Sequence, residues 1–245
     1  MVFTRRLAAG VLLVGPLLAL AATPVVPAAA EAAASSSAIS ASSLYREAVA
    51  TTRSWSVHYD SSSTQSKQTL VVSGDAGPAS GSQTVVMSTG SITILVIGGI
   101  TYLKGNAGGL QNLAGLSASQ AADAAGKWIE FATNNAAFAQ VVAGVRSNDV
   151  ATELLLKGQL SLGRPRTLDG YGVDAIEGTQ TFARKARHVV LYVRAQGSHV
   201  PVEEDSLNAK GQTTATEHVT YSKWGELVRP LAPQATVSIG PVSAV

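Results

Sequence analysis

The sequence predicts an α+β domain: one long, mostly antiparallel sheet curled into a half-open barrel of about 8–11 strands wrapped around a few helices. Three observations point there. Short runs with period-2 alternation, joined by turns rich in Gly, Asn and Asp, fill the first and last thirds of the chain. After one short helix ahead of the first strand, apolar residues at helical spacing fall in the middle, so strands and helices are grouped apart and do not alternate as βαβ units. Apolar residues make up 46% of the chain and cysteine is absent. A globular part of roughly 200 residues buries enough surface to stand without disulfides.

The chain opens with Arg5 and Arg6, an apolar run from Leu7 to Ala22, and Pro27-Ala28-Ala29-Ala30 before Glu31. A positive start, a short apolar core and an Ala-x-Ala site describe a secretory signal peptide over residues 1–30. The apolar run is too short for a stable span. The expectation is therefore a secreted, extracytoplasmic protein of the cell envelope with no transmembrane anchor after signal cleavage. With no cysteine to carry diacylglycerol, it is also expected not to be lipid-anchored. Residues 31–43 read as a flexible Ala/Ser-rich lead-in, and 44–245 as a single domain.

Within that domain, Leu44, Ala48 and Val49 mark a helix over 44–52, with Ser42 and Ser43 as candidate caps. Trp55, Val57 and Tyr59 alternate with polar residues as a half-buried strand, and a second strand over 67–73 carries Leu70, Val71 and Val72. From Ser82 to Lys104, β-branched runs separated by Thr89-Gly90 and Gly98-Gly99 form an antiparallel meander. Leu110, Leu113 and Leu116 recur by threes. Ser117-x-x-Gln120 is a capping-box pattern opening an Ala-rich helix that stops at Gly126. A strand covers 127–131. Phe138, Val141, Val142 and Val145 have helical spacing, and Asp149 caps a further helix through Leu154, Leu155 and Leu156 to Gly158. Strands are expected over 160–162, 171–178, 189–194, 199–204, 213–221 and 236–239.

Chemistry is harder to find. Once Arg5 and Arg6 are removed, the 18 basic residues fall to 16, equal to the acidic ones, so no basic face for nucleic acid is present. Arg184, Lys185 and Arg187 read as a solvated turn. In Gly77-Pro78-Ala79-Ser80-Gly81 the serine is one place late for a nucleophile elbow, and a hairpin turn explains it better. His58, His188, His199 and His218 lack any metal-ligand spacing, and His58, His188 and His218 take outward strand positions. Gly170-Tyr171-Gly172-Val173-Asp174-Ala175-Ile176 matches one calcium β-roll unit, but that site needs tandem copies, so a tight turn is the reading. Glu203 and Asp205 share one strand face, with Glu204 on the other, as a solvated strand end. Phosphate loops and dinucleotide fingerprints are absent. The expectation is no enzyme, no metal and no cofactor.

The alternative to catalysis is a cavity. A curved sheet lined by Val, Ile, Leu and Ala packs helices less completely than one lined by aromatics. The same residues can equally make a filled core, and composition leaves both open. Three stretches resemble the exported actinobacterial lipoproteins of the LppX/LprG type, related in shape to the carriers LolA and LolB. One is Ile100-Thr101-Tyr102-Leu103-Lys104-Gly105-Asn106, with the Leu-rich segment and Gly126-Lys127-Trp128-Ile129 after it. Another is His188-Val189-Val190-Leu191-Tyr192-Val193 with Val200-Pro201-Val202-Glu203. The last is Thr220-Tyr221-Ser222-Lys223-Trp224-Gly225-Glu226 with Ala232-Pro233. The resemblance implies a half-open barrel around helices, with an apolar cavity for acyl chains and no catalytic residues. It departs from that family in lacking the lipobox cysteine. The expected function is a carrier for lipid or another hydrophobic ligand, with Leu110, Leu113, Leu116, Phe138, Val141, Val142 and Val145 lining the cavity. The alternative is a non-catalytic envelope module with a filled core and a protein or cell-wall partner.

Overall fold

The computed structural model describes residues 39–65, 68–139, 141–182, 185–208 and 216–239. The signal segment, the lead-in up to residue 38, Arg184 and the turn beyond residue 208 lie outside the described residues.

The first helix, α1 (Ala41–Ser54), starts three residues earlier than its apolar spacing predicts, because Ser40 is the cap: its hydroxyl accepts from Ser43 N–H. It buries Leu44, Ala48 and Val49, and Thr52 satisfies its own buried hydroxyl on the Ala48 carbonyl at 2.8 Å. The meander follows as β1 (Val57–Gln65), β2 (Gln68–Ala76), β3 (Ser80–Met87), β4 (Gly90–Ile97) and β5 (Ile100–Gly105). Gly98, with φ +60°, turns β4 into β5 through two residues, as a Gly-Gly pair between β-branched runs should.

After β5 the chain leaves the sheet for α2 (Ala107–Asn112) and α3 (Ala118–Ala124), the latter opened by the full Ser117/Gln120 capping box. It returns for β6 (Ile129–Ala132), makes a 3-10 turn at Ala136–Phe138, and forms α4 (Ser147–Glu153). The second run of strands is β7 (Lys157–Leu162), β8 (Arg166–Leu168), β9 (Tyr171–Phe182), β10 (Lys185–Arg194), β11 (Pro201–Leu207) and β12 (Glu217–Ser222). Then β12 pairs with β1, which joins both runs into one sheet in the order β6-β5-β4-β3-β2-β1-β12-β11-β10-β9-β7, with β8 also on β9. All these pairings are antiparallel, and the end strands β6 and β7 do not meet, so the sheet stays open. This is the half-open α+β arrangement expected, with twelve strands; the unexpected one is β8.

Several segments depart from the sequence reading. Residues 135–139 and 141–145 form only the 3-10 turn and irregular turns, because Gly144 sits at φ +85° and the backbone there lies flat on the sheet. Helix α4 ends at Glu153, short of Gly158: the Tyr45 hydroxyl donates to the Leu154 carbonyl at 3.1 Å and accepts from Leu156 N–H at 2.8 Å, replacing the next helical turn. Strand β11 begins at Pro201, since His199 has φ +46°. The 236–239 strand reduces to one bridge between Val237 and Ile129. Asp169 and Gly170, both at positive φ, form the two-residue turn from β8 to β9, as the tight-turn reading of that glycine-rich segment expects.

Candidate functional site on the concave face

Strand alternation gives the sheet two unlike faces. On the concave face, Val57 and Tyr59 of β1, Ala76 of β2, Ile176 of β9, Val189, Leu191 and Val193 of β10, and Val219 and Tyr221 of β12 pack with α1 and α4. That is one half of the core. The other half joins Ile92, Ile94 and Val96 of β4, Leu103 of β5 and Ile129 of β6 to α2, α3 and the 138–145 segment.

All the residues proposed as cavity-lining fall in this second half. Leu110, Leu116, Phe138, Val142 and Val145 are buried in it, while Leu113 and Val141 pack against it half-buried. Phe138 stacks on Phe131 with ring centroids 4.1 Å apart. The cluster exists even though 135–145 is not a helix. Leu110 and Val145 are fully buried, so the side chains that could face a ligand here face one another.

A polar seam separates the halves, and sequence reading missed it. The Tyr59 hydroxyl donates to the Gly144 carbonyl at 2.9 Å, and burial pushes its pKa far up. Gln83, also buried, lies opposite Gly74 in the β2–β3 register. The 144–146 backbone touches the sheet directly: a Cβ on Gly81 would sit 1.8 Å from the Val145 carbonyl oxygen, and one on Gly74 would strike the Tyr59 ring. Ser147 N–H donates to the Gly77 carbonyl at 3.0 Å, which anchors the segment. The available signal was glycine at inward-facing strand positions, a sign of close backbone approach.

The convex face is different. A cavity of about 270 Å³ lies between β1–β3 and the chain at 223–230, lined by His58, Asp75, Ser82, Lys223 and Arg229 among others. Its size and charged lining do not suit an acyl chain. His58 donates or accepts at both ring nitrogens, to Asp75 at 2.7 Å and Asp60 at 3.2 Å. Further along this face, His218 Nδ1 lies 2.8 Å from Asp205. Burial, followed by the charge of Asp205, raises the Glu203 carboxyl above the usual range. Glu203 and Asp205 are half-buried and Glu204 is buried on the concave face, so this is not the solvated strand end expected. Glu204 lies 3.4 Å from Gln180 Nε2. Gly77, Pro78 and Ala79 connect β2 to β3, as the hairpin-turn reading expects, and Ser80 and Gly81 open β3.

No helix among the described residues is long and apolar enough to cross a membrane. No family model matches the chain, and no curated protein matches it in sequence. Solved structures do. The chain is similar to LprF from Mycobacterium bovis at TM-score 0.51 and 14% identity, over 79% of this chain and 96% of that one. The Mycobacterium tuberculosis lipoprotein LppX aligns at TM-score 0.48 and 17% identity, over 76% and 95%. A chain of the Pseudomonas aeruginosa MucA/MucB complex aligns at TM-score 0.39 and 13% identity, over 78% and 58%. The likeness to LprF extends over nearly the whole described domain, and the chain has the LppX/LprG-type fold that its sequence resembles.

Proposed function

We propose that this protein is a secreted, non-catalytic carrier of the cell envelope that takes up lipid acyl chains between its sheet and the helices of the second core half. One observation carries the reading: among the described residues, the apolar half that holds Leu110, Leu113, Leu116, Phe138, Val141, Val142 and Val145 is covered by the short helices α2 and α3, irregular turns and the extended segment at Val237 and Ile239. Helices of six and seven residues have little stability of their own. The first half lies under the fourteen-residue α1, which packs on α4 and is tied to it by Tyr45. Acyl chains entering the second half displace a thin cover and meet an apolar wall; in the first half they would have to displace the best-packed helices. The LppX/LprG resemblance supports the same assignment.

Native mass spectrometry with organic extraction, on protein secreted by a lipid-rich actinobacterial host, tests this. Extractable lipid adducts are expected, and Val142→Glu is expected to abolish them while circular dichroism still shows a folded sheet. A bare mass that lipid vesicles do not change overturns the carrier. The tight mutual packing of the proposed lining residues favours the second reading, a filled-core envelope module that binds a protein or cell-wall partner. Under that reading Val142→Glu lowers stability alone.

A further inference from the structure

We infer that the convex face carries a binding site for a divalent first-row transition cation, zinc being the type, formed by Glu203, Asp205 and His218. One ligand atom from each of the three lies within 4.8 Å of the others. The sheet sets this geometry. Glu203 and Asp205 are two apart on β11 and so share a face, and the β11–β12 register puts His218 directly opposite Asp205 and Thr220 opposite Glu203. Both strands are interior to the sheet, hydrogen-bonded on either side, so the donors stand on a rigid base and not on a loop.

The donors also have reason to want a cation. His218 and Asp205 already face each other across a hydrogen bond of 2.8 Å, the place of a shared proton that a metal ion can take. Glu203 makes no hydrogen bond or ion pair among the described residues, although it is half-buried beside Asp205. The neighbouring Arg166 adds its charge but no hydrogen bond to Glu203: its guanidinium is hydrogen-bonded to the Tyr192 hydroxyl and lies 4.3 Å from that ring's centroid. One imidazole with two carboxylates suits zinc and its neighbours, and leaves a coordination position for water. Calcium, which seeks six to eight oxygens, is poorly served by two side-chain carboxylates. The other histidine–aspartate group does not compete, because its two carboxylates stand on opposite ring nitrogens of His58, Asp75 at Nδ1 and Asp60 at Nε2, and do not converge on one point.

The experiment is calorimetric titration of untagged protein with zinc chloride, repeated with calcium chloride, and a thermal melt with each ion. One zinc per chain is expected, with a Tm rise of roughly 5–11 °C at a hundredfold excess over Kd. Glu203→Gln and His218→Ala should each weaken zinc at least tenfold, about the least that even outer-shell changes cause at metal sites. His58→Ala should leave it unchanged. Glu203→Gln is isosteric, so a folded variant is available whatever His218→Ala does. No zinc binding up to millimolar concentration overturns the site. So does zinc binding of undiminished affinity in both variants, or calcium binding as tight as zinc that survives His218→Ala.

Discussion

At the scale of single residues, the decisive positions are glycines and polar side chains at places where the strand pattern asks for apolar ones. Gly81 lies against the Val145 carbonyl, a backbone atom that cannot rotate away. Gly81→Ala is expected to destabilise the protein by about 1–3 kcal/mol in a urea melt. Gly172→Ala, where an added Cβ meets nothing within 4 Å, should stay within about 0.5 kcal/mol of wild type. Glu203 answers to pH instead. Burial and Asp205 raise its pKa in the folded chain, so its protonated form favours folding. That contribution is complete below the unfolded carboxyl's pKa and is lost as pH rises through the raised value. With chelator present, Glu203→Gln should therefore raise Tm at pH 7 by roughly 1–3 °C and leave it unchanged near pH 4. Alternation in the sequence put Glu203 and Asp205 on one face; that His218 joins them follows from the pairing of β11 with β12, which no local pattern specifies.

Among the elements, strands were more legible than helices. The β3–β5 meander follows the alternation and the Gly-Gly turn closely, because a strand with one buried face has a register set by its own side chains. The 135–145 segment shows the opposite. Phe138, Val141, Val142 and Val145 carry helical spacing and do reach one cluster, but Gly144 and the approach to Gly81 hold the chain in turns. Helix α4 likewise stops at Glu153 because Tyr45, 111 residues from Leu156, takes its N–H. Tyr59→Phe should cost about 1–3 kcal/mol, since it leaves the buried Gly144 carbonyl without its donor. Hydrogen exchange in the same variant is expected to quicken through 141–147 and not in α1. Ser117→Ala removes the α3 cap and should cost about 1 kcal/mol.

For the whole molecule, one open sheet with unequal covers on its two core halves is the property that bears on function. If the second half admits acyl chains, hydrogen exchange with and without lipid vesicles should change through 107–146 and remain constant in α1 and in β9–β10. A uniform change over the domain would mean that lipid acts on the fold as a unit and not on that compartment. From residues alone came the fold class, the meander, the capping box at Ser117 and the set of apolar side chains that gather in the second half. Each rests on forces that act within a few residues, namely turn chemistry, capping and side-chain periodicity. Pairing of β1 with β12, the polar seam of Tyr59, Gln83 and Gly144, the burial of Glu204 and the meeting of Glu203, Asp205 and His218 were settled only by the tertiary structure. Those contacts join segments more than ten residues apart in sequence, and their geometry comes from the closing of the sheet rather than from any residue's own preference.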